Sequence, residues 1–94
     1  PYDLNWAELT AKEHKLFVHV LKPITRVELL NVANTVRRAY LVRNGMELEC
    51  RSRNICEGDP IVEVELPEEL RQQKNYAVCI ELEEEWPVFE PIRG

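Results

Sequence analysis

The chain has 94 residues, which is enough for one domain with a single modest core. Hydrophobic residues make up 45% of it and charged residues 31%, a balance that is typical of folded globular proteins and argues against a disordered chain. No apolar run approaches the length of a membrane span, so we expect no contact with a membrane.

The first predicted element covers residues 11–22. Thr10 and Glu13 have the spacing of a capping box, which marks the start of a helix. Apolar residues follow at helical spacing, namely Leu16, Phe17, Val20 and Leu21. The same segment is rich in β-branched and aromatic residues, so we favour a second helix here and keep an added strand of the sheet as the alternative.

The clearest pattern lies in residues 26–42. Apolar residues recur there at positions i, i+3, i+4, i+7, i+10 and i+11, namely Leu29, Val32, Ala33, Val36, Ala39 and Tyr40. Thr25 and Glu28 form another capping box at the start of the segment. The pattern predicts an amphipathic helix that carries Arg37 and Arg38 on its polar side.

Asn44-Gly45 tolerates positive φ and ends this helix, after which the period of the apolar residues changes from about 3.6 to two. Three segments alternate apolar and polar residues: MELECR from residue 46, IVEVEL from residue 61 and YAVCIELE from residue 76. Such alternation predicts strands with one buried and one wet face. Residues 67–74 begin with a proline and two acids, which favours a short helical turn.

These elements predict a single α+β domain over residues 1–94. The amphipathic helix would pack on an antiparallel sheet of three or four strands. Residues 86–94, which contain two prolines, would form an extended tail. Because the chain begins at Pro1 without a methionine, we expect it to be part of a larger protein.

The predicted faces leave several groups of residues for a partner. The outward sheet face would carry the acids Glu47, Glu49, Glu63, Glu65, Glu81 and Glu83. The apolar residues predicted to point outward are Leu30, Leu41 and Ile61, and the tail adds Trp86 and Phe89. The candidate partner-binding residues are therefore Leu30, Arg37, Arg38, Leu41, Ile61, Glu63, Glu65, Trp86 and Phe89.

Charge is distributed unevenly along the chain, whose net charge is −5. Residues 1–53 hold nine Lys/Arg and six Asp/Glu, whereas residues 54–94 hold three and eleven. Such asymmetry supports self-association into a homo-oligomer or binding to a charged protein partner. The negative total argues against a nucleic-acid partner.

No residue pattern points to catalysis, a cofactor or a metal. The sequence has no phosphate-binding loop, dinucleotide fingerprint or H-E-x-x-H motif. His14 and His19 lie far in sequence from the three cysteines, so the spacing of metal ligands is missing. We expect the cysteines to be reduced and mostly buried, which favours an intracellular protein of the cytoplasm or nucleus.

The sequence therefore predicts a non-enzymatic adaptor that acts by protein–protein interaction or self-association. The alternative is a winged-helix-like nucleic-acid-binding domain that would use the arginine-bearing helix. The net negative charge weighs against this alternative, and so does the lack of aromatic residues interleaved with the arginines.

Overall fold

A computed structural model describes residues 4–54 and 60–89 of the chain, which form two antiparallel β-sheets. The strands are β1 (Ala7–Lys12), β2 (Lys15–Val20), β3 (Arg26–Leu30), β4 (Val36–Leu41), β5 (Glu47–Leu48), β6 (Cys50–Asn54), β7 (Pro60–Glu65) and β8 (Tyr76–Leu82). Helical structure in this part of the chain is limited to a 3₁₀ turn at Glu68–Leu70. No helix among these residues is long and apolar enough to cross a membrane.

The two sheets form the layers of a β-sandwich. One sheet has five strands in the order β1-β2-β8-β4-β5, and the other has three in the order β3-β7-β6. The chain enters the small sheet with β3, returns to the large sheet with β4 and β5, and repeats this with β6, β7 and β8. Both edges of the small sheet are therefore strands that directly precede or follow a crossing between the layers.

One contiguous core lies between the layers. The five-stranded sheet contributes mainly Leu16, Val18, Val20, Ala39, Leu41, Val78, Ile80 and Leu82, and the three-stranded sheet contributes Val27, Leu29, Val62 and Val64. These residues alternate along their strands with exposed or half-buried ones, most regularly in β2 and β3. Burial of each large apolar side chain is worth about 1.5–3 kcal/mol, so this core is what holds the two sheets together.

The helix predicted over residues 26–42 is wrong, and with it the α+β fold class. The segment forms β3 and β4, which lie in different sheets and pair with β7 and β8 respectively. Within β3, Val27 and Leu29 are buried while their neighbours are exposed, so the true period is two. Asn31 then adopts a φ of 62°, a left-handed conformation that bends the chain out of the strand.

The helical spacing arose because two strands and their link were read as one element. Val32 is buried in the link, where it forms an isolated bridge with Phe89. Ala33, which the predicted stripe required to be buried, is exposed, and Val36 is only half-buried. Pairing with strands that are distant in sequence decides the structure of this segment, and a local pattern cannot report it.

For residues 11–22 the strand alternative is correct and the preferred helix is wrong. The segment holds the end of β1 and all of β2, joined by a tight turn in which His14 has a φ of 63°. Leu16 and Val20 face the core as the helix also required, but Leu21 is exposed. The branched and aromatic residues of this segment fit a pleated, half-buried surface.

Of the three strands predicted after residue 45, those at IVEVEL and YAVCIELE are confirmed as β7 and β8. The prediction of one strand at MELECR is wrong, because this segment is divided between β5 and β6 in different sheets. Gly45 has the expected positive φ, 74°, but it follows β4 and not a helix. The 3₁₀ turn also lies within residues 67–74, as predicted. The single sheet is wrong, because the chain changes layer at Glu49, between β5 and β6. Of the predicted tail, residues 90–94 lie outside the described residues.

Candidate functional site

The free edge of β3 is the most distinctive surface of the described chain. Among the described residues β3 pairs only with β7, and none of them forms a strand on its other side. The two strands are aligned without a register shift from the Arg26–Glu65 pair to the Leu30–Ile61 pair. The pairing that leaves this edge open is therefore regular over the whole length of β3.

The hydrogen bonds at both ends of this pair show which backbone groups face the open side. The amide of Asn31 donates to the carbonyl of Pro60 at 2.8 Å, so this pair is a hydrogen-bonded one. The amide of Glu65 turns away from β3 and donates to the carbonyl of Glu49 at 2.8 Å. Hydrogen-bonded and non-hydrogen-bonded pairs alternate along an antiparallel ladder.

It follows that Val27 and Leu29 use their backbone groups within the sheet, whereas those of Arg26, Glu28 and Leu30 point to the open edge. No hydrogen bond from another described residue reaches these three amides or carbonyls. Such a row of unused donors and acceptors can pair with a further strand.

An open groove of about 620 Å³ runs beside this edge. Its lining residues are Leu4, Trp6, Ile24, Thr25, Arg26, Glu28 and Leu30. The carbonyl of Trp6 accepts a hydrogen bond from the amide of Leu21 at 2.8 Å, which keeps the N-terminal segment near the start of β3. Leu4, Trp6 and Ile24 pack partly against the core, so the groove has an apolar wall that is fixed in place.

Opposite charges stand next to each other on the edge. The guanidinium of Arg26 lies 3.8 Å from the carboxylate of Glu28 and 3.6 Å from that of Glu65. The side chains of Arg26 and Glu28 remain 41% and 50% exposed. Exposed ion pairs of this kind contribute about 0–1 kcal/mol each, so both side chains can change partners at little cost.

Four of the nine candidate residues lie on the outer face of the small sheet. Leu30 and Ile61 are direct cross-strand neighbours, and Glu63 and Glu65 follow on β7. Ile61 shares this outward face, but it is buried, so the prediction that it is available to a partner is wrong. Arg51 of β6 pairs with both acids, with nitrogen–oxygen distances of 3.0 Å to Glu63 and to Glu65.

Arg37, Arg38 and Leu41 lie on β4 in the other sheet, away from these four. The pairing of β4 with β8 shifts register between Val36 and Arg38, and the two arginines are bound by different acids. Leu41 is fully buried, so the prediction that it points outward is wrong. The nine candidates therefore do not form one surface.

Both arginines are paired within the chain. Arg37 lies 3.3 Å from a carboxylate oxygen of Glu83, and Arg38 contacts Glu47 and lies 3.2 Å from Glu81. The guanidinium of Arg38 also lies 4.5 Å from the ring centre of Tyr40, a cation–π contact. The predicted continuous acidic face is wrong, since its members are split between two sheets and most have an arginine beside them.

Trp86 and Phe89 are exposed, but the segment that carries them is held in place. The side-chain nitrogen of Asn34 donates at 3.0 Å to the carbonyl of Trp86 and to the carboxylate of Glu84. The side-chain oxygen of Asn34 accepts a hydrogen bond from the amide of Val88 at 2.7 Å. Phe89 and Pro87 line a small groove with residues of β1 and β2, on a different part of the surface from Trp6 and Leu4.

The described residues do not show an activated nucleophile or a metal centre. Burial raises the pKa of the thiols of Cys50 and Cys79, which keeps both protonated. A hydrogen bond with Cys79, together with burial, raises the pKa of Tyr40 to about 12. Among the residues described, no three His, Cys, Asp or Glu side chains are grouped to hold a metal ion.

No protein-family model matches the chain, and no curated protein or solved structure is significantly similar to it. Function is therefore inferred from the β3 edge and its groove.

Sequence reasoning identified Leu30 but missed the rest of this site. Arg26 and Glu28 fell in the first turn of the predicted helix, where their carbonyls would have accepted hydrogen bonds within the helix. The alternation in RVELL, with its branched Val27, was the signal that could have indicated a strand. That the strand lies at an edge depends on the order of strands in the sheet, and the sequence does not state this order.

Proposed function

We propose that this chain is a protein-interaction module that binds an extended segment of a protein partner along the free edge of β3. The observation that supports the proposal is the row of backbone groups at Arg26, Glu28 and Leu30, to which no described residue forms a hydrogen bond, beside a groove with an apolar wall. Strand addition of this kind takes its affinity from main-chain hydrogen bonds and its specificity from pockets for alternate side chains.

The β3 edge lacks most of the features that protect exposed edges from pairing. It contains no proline and no bulge, and its two charges have opposite signs. By contrast, β5 is only two residues long, and β1 has Pro87 and Phe89 close to one of its faces. These differences favour β3 as the strand that receives a partner.

The alternative function, nucleic-acid binding through an arginine-bearing helix, loses its structural basis. Residues 26–42 contain two strands and no helix. Arg37 and Arg38 are each paired with glutamates, which would compete with phosphate groups. We therefore do not retain it.

The test replaces Glu28 with proline. Proline removes the amide hydrogen that points to the open edge, and edge strands tolerate it there because β7 does not use that amide. The matched control is Ser52→Pro on β6, the opposite edge of the same sheet, where the Glu65–Glu49 hydrogen bond places the Ser52 amide away from β7 as well.

A displayed library of short random peptides is selected against the chain. We expect the enriched peptides to bind the parent and Ser52→Pro equally, and to bind Glu28→Pro at least about tenfold more weakly, since main-chain bonds carry the affinity. Thermal unfolding checks that both variants are folded. Enriched peptides that bind Glu28→Pro as well as the parent would show that the edge of β3 is not the binding site.

A further inference from the structure

The β3 edge is complementary to itself. Its outward-facing backbone groups belong to Arg26, Glu28 and Leu30. An added antiparallel strand can therefore pair only in registers that place its own outward-facing backbone groups opposite these three residues. When the added strand is a second β3, each such register is related to the next by a shift of two residues. The charges on the edge distinguish these registers.

One register satisfies every charge. If Val27 of one copy lies opposite Val27 of the other, Arg26 faces Glu28 of the second copy, and Glu28 faces its Arg26. A shift in one direction places Arg26 opposite Arg26, and a shift in the other places Glu28 opposite Glu28. Opposite charges directly across strands stabilise an antiparallel pair, and like charges destabilise it.

The same register also brings an apolar side chain to the groove. It brings Leu30 of one copy to the start of β3 in the other, where Ile24 and Trp6 line the groove. Leu30 is 49% exposed, so its side chain is available for such a contact. Because the arrangement has a two-fold axis through Val27, each copy supplies one Leu30 and receives the other.

We propose that the strand bound by the β3 edge is β3 of a second copy, in an antiparallel register centred on Val27. This inference rests on the proposed function of the edge and names its partner. The two small sheets would join into one continuous sheet of six strands across the two-fold axis. The contact uses one strand from each copy, which suits a weak and reversible dimer rather than an obligate one.

The test uses two charge reversals, Arg26→Glu and Glu28→Arg. Each alone places like charges opposite each other in the dimer, so neither variant should pair with itself. When the two variants are mixed, every position in this register again faces an opposite charge. In the parent, Glu65 has Arg51 at 3.0 Å as well as Arg26 at 3.6 Å, so it does not depend on Arg26 alone for a positive partner.

Sedimentation velocity is measured from low to high micromolar concentration. We expect a concentration-dependent dimer of the parent, self-association weakened at least about tenfold in each variant alone, and recovery in the equimolar mixture. The double variant, Arg26→Glu with Glu28→Arg, should dimerise like the parent because its charges are exchanged symmetrically. Recovery in the mixture cannot come from misfolded chains, so it also controls for folding.

Self-pairing and the proposed function can fail separately. A parent chain that stays monomeric throughout this range, while displayed peptides still bind it and lose affinity for Glu28→Pro, would overturn the self-pairing and leave the function of the edge intact. A dimer that neither single variant weakens, or that the mixture does not restore, would overturn the register centred on Val27. Peptides insensitive to Glu28→Pro would overturn the proposed function as well.

Discussion

Leu30 and Ile61 lie directly opposite each other in the β3–β7 pair, yet 49% of Leu30 is exposed and only 4% of Ile61. The difference follows from strand order, because β7 has a neighbour on each side and β3 has one. The exposure of Leu30 therefore marks the place where a further strand would lie. Ile61 shows how such a residue is covered when that strand is present.

The two residues should respond differently to the same substitution. We expect Ile61→Asp to lower the free energy of unfolding by about 2–4 kcal/mol, because it buries a charge beside the acidic face of β7. Leu30→Asp should change stability by less than about 1 kcal/mol and weaken binding at the β3 edge. Urea unfolding measures the first effect and sedimentation the second. Equal losses of stability would contradict the assignment of β3 as an open edge.

Leu41 and Val42 offer a second matched pair. Leu41 is fully buried in the core, whereas its neighbour Val42 is 45% exposed. We expect Leu41→Ala to cost about 2–5 kcal/mol in stability through lost burial and a residual cavity, and Val42→Ala less than about 1 kcal/mol. Chemical unfolding at fixed temperature separates the two. Similar costs would contradict the burial of Leu41 in the core and the exposure of Val42.

How much of this molecule could be predicted from sequence depended on where the pairing information lies. The alternation of apolar and polar residues within β7 and β8 identifies both strands from the sequence. The dipeptide Asn44-Gly45 likewise predicts the positive φ that Gly45 adopts. β3 and β4 read as a helix, because local spacing cannot show that two halves of one segment pair in different sheets.

The candidate site was even harder to predict from the sequence than the fold. Leu30 was predicted to be exposed because it lay outside the apolar stripe of the predicted helix. Its exposure comes instead from its position on the edge strand β3. Whether Arg26 and Glu28 have free backbone groups depends on hydrogen bonds at Asn31 and Glu65, which are set by the register with β7 and β6. Side-chain patterns carry no direct record of these bonds.

Glu84 should report on the anchoring of the C-terminal segment. Its pKa is lowered first by the hydrogen bond from the Asn34 side chain and next by the amide of Thr35. A carboxyl whose pKa is lowered by folding stabilises the native state above its unfolded pKa, and this contribution is lost as the pH falls through the folded pKa. The pH dependence therefore lies below the ordinary value of 4.5.

Asn34→Ala removes the largest cause of this shift. We expect the pKa of Glu84 to rise towards its ordinary value in the variant. The variant should then be less stable than the parent at neutral pH, and it should lose less stability than the parent as the pH falls below 4.5. Carboxyl titration by NMR measures this shift. The rise should be partial, because the amide of Thr35 still donates its hydrogen bond to Glu84 in the variant. An unchanged pKa would show that Asn34 does not hold this carboxylate in solution.

Amide hydrogen exchange along β3 gives the most direct view of the edge. In the dilute chain the amides of Val27 and Leu29 should exchange slowly, since β7 accepts their hydrogen bonds, and those of Glu28 and Leu30 should exchange quickly. When a strand is added, the second pair should become protected while the first changes little. NMR-detected exchange at low and high concentration resolves these four amides.

Glu28→Pro should abolish the concentration-dependent protection of Leu30 without affecting Val27 or Leu29. Slow exchange at Leu30 in the most dilute sample would mean that its amide already has a partner within the chain, and the edge would then not be free to bind.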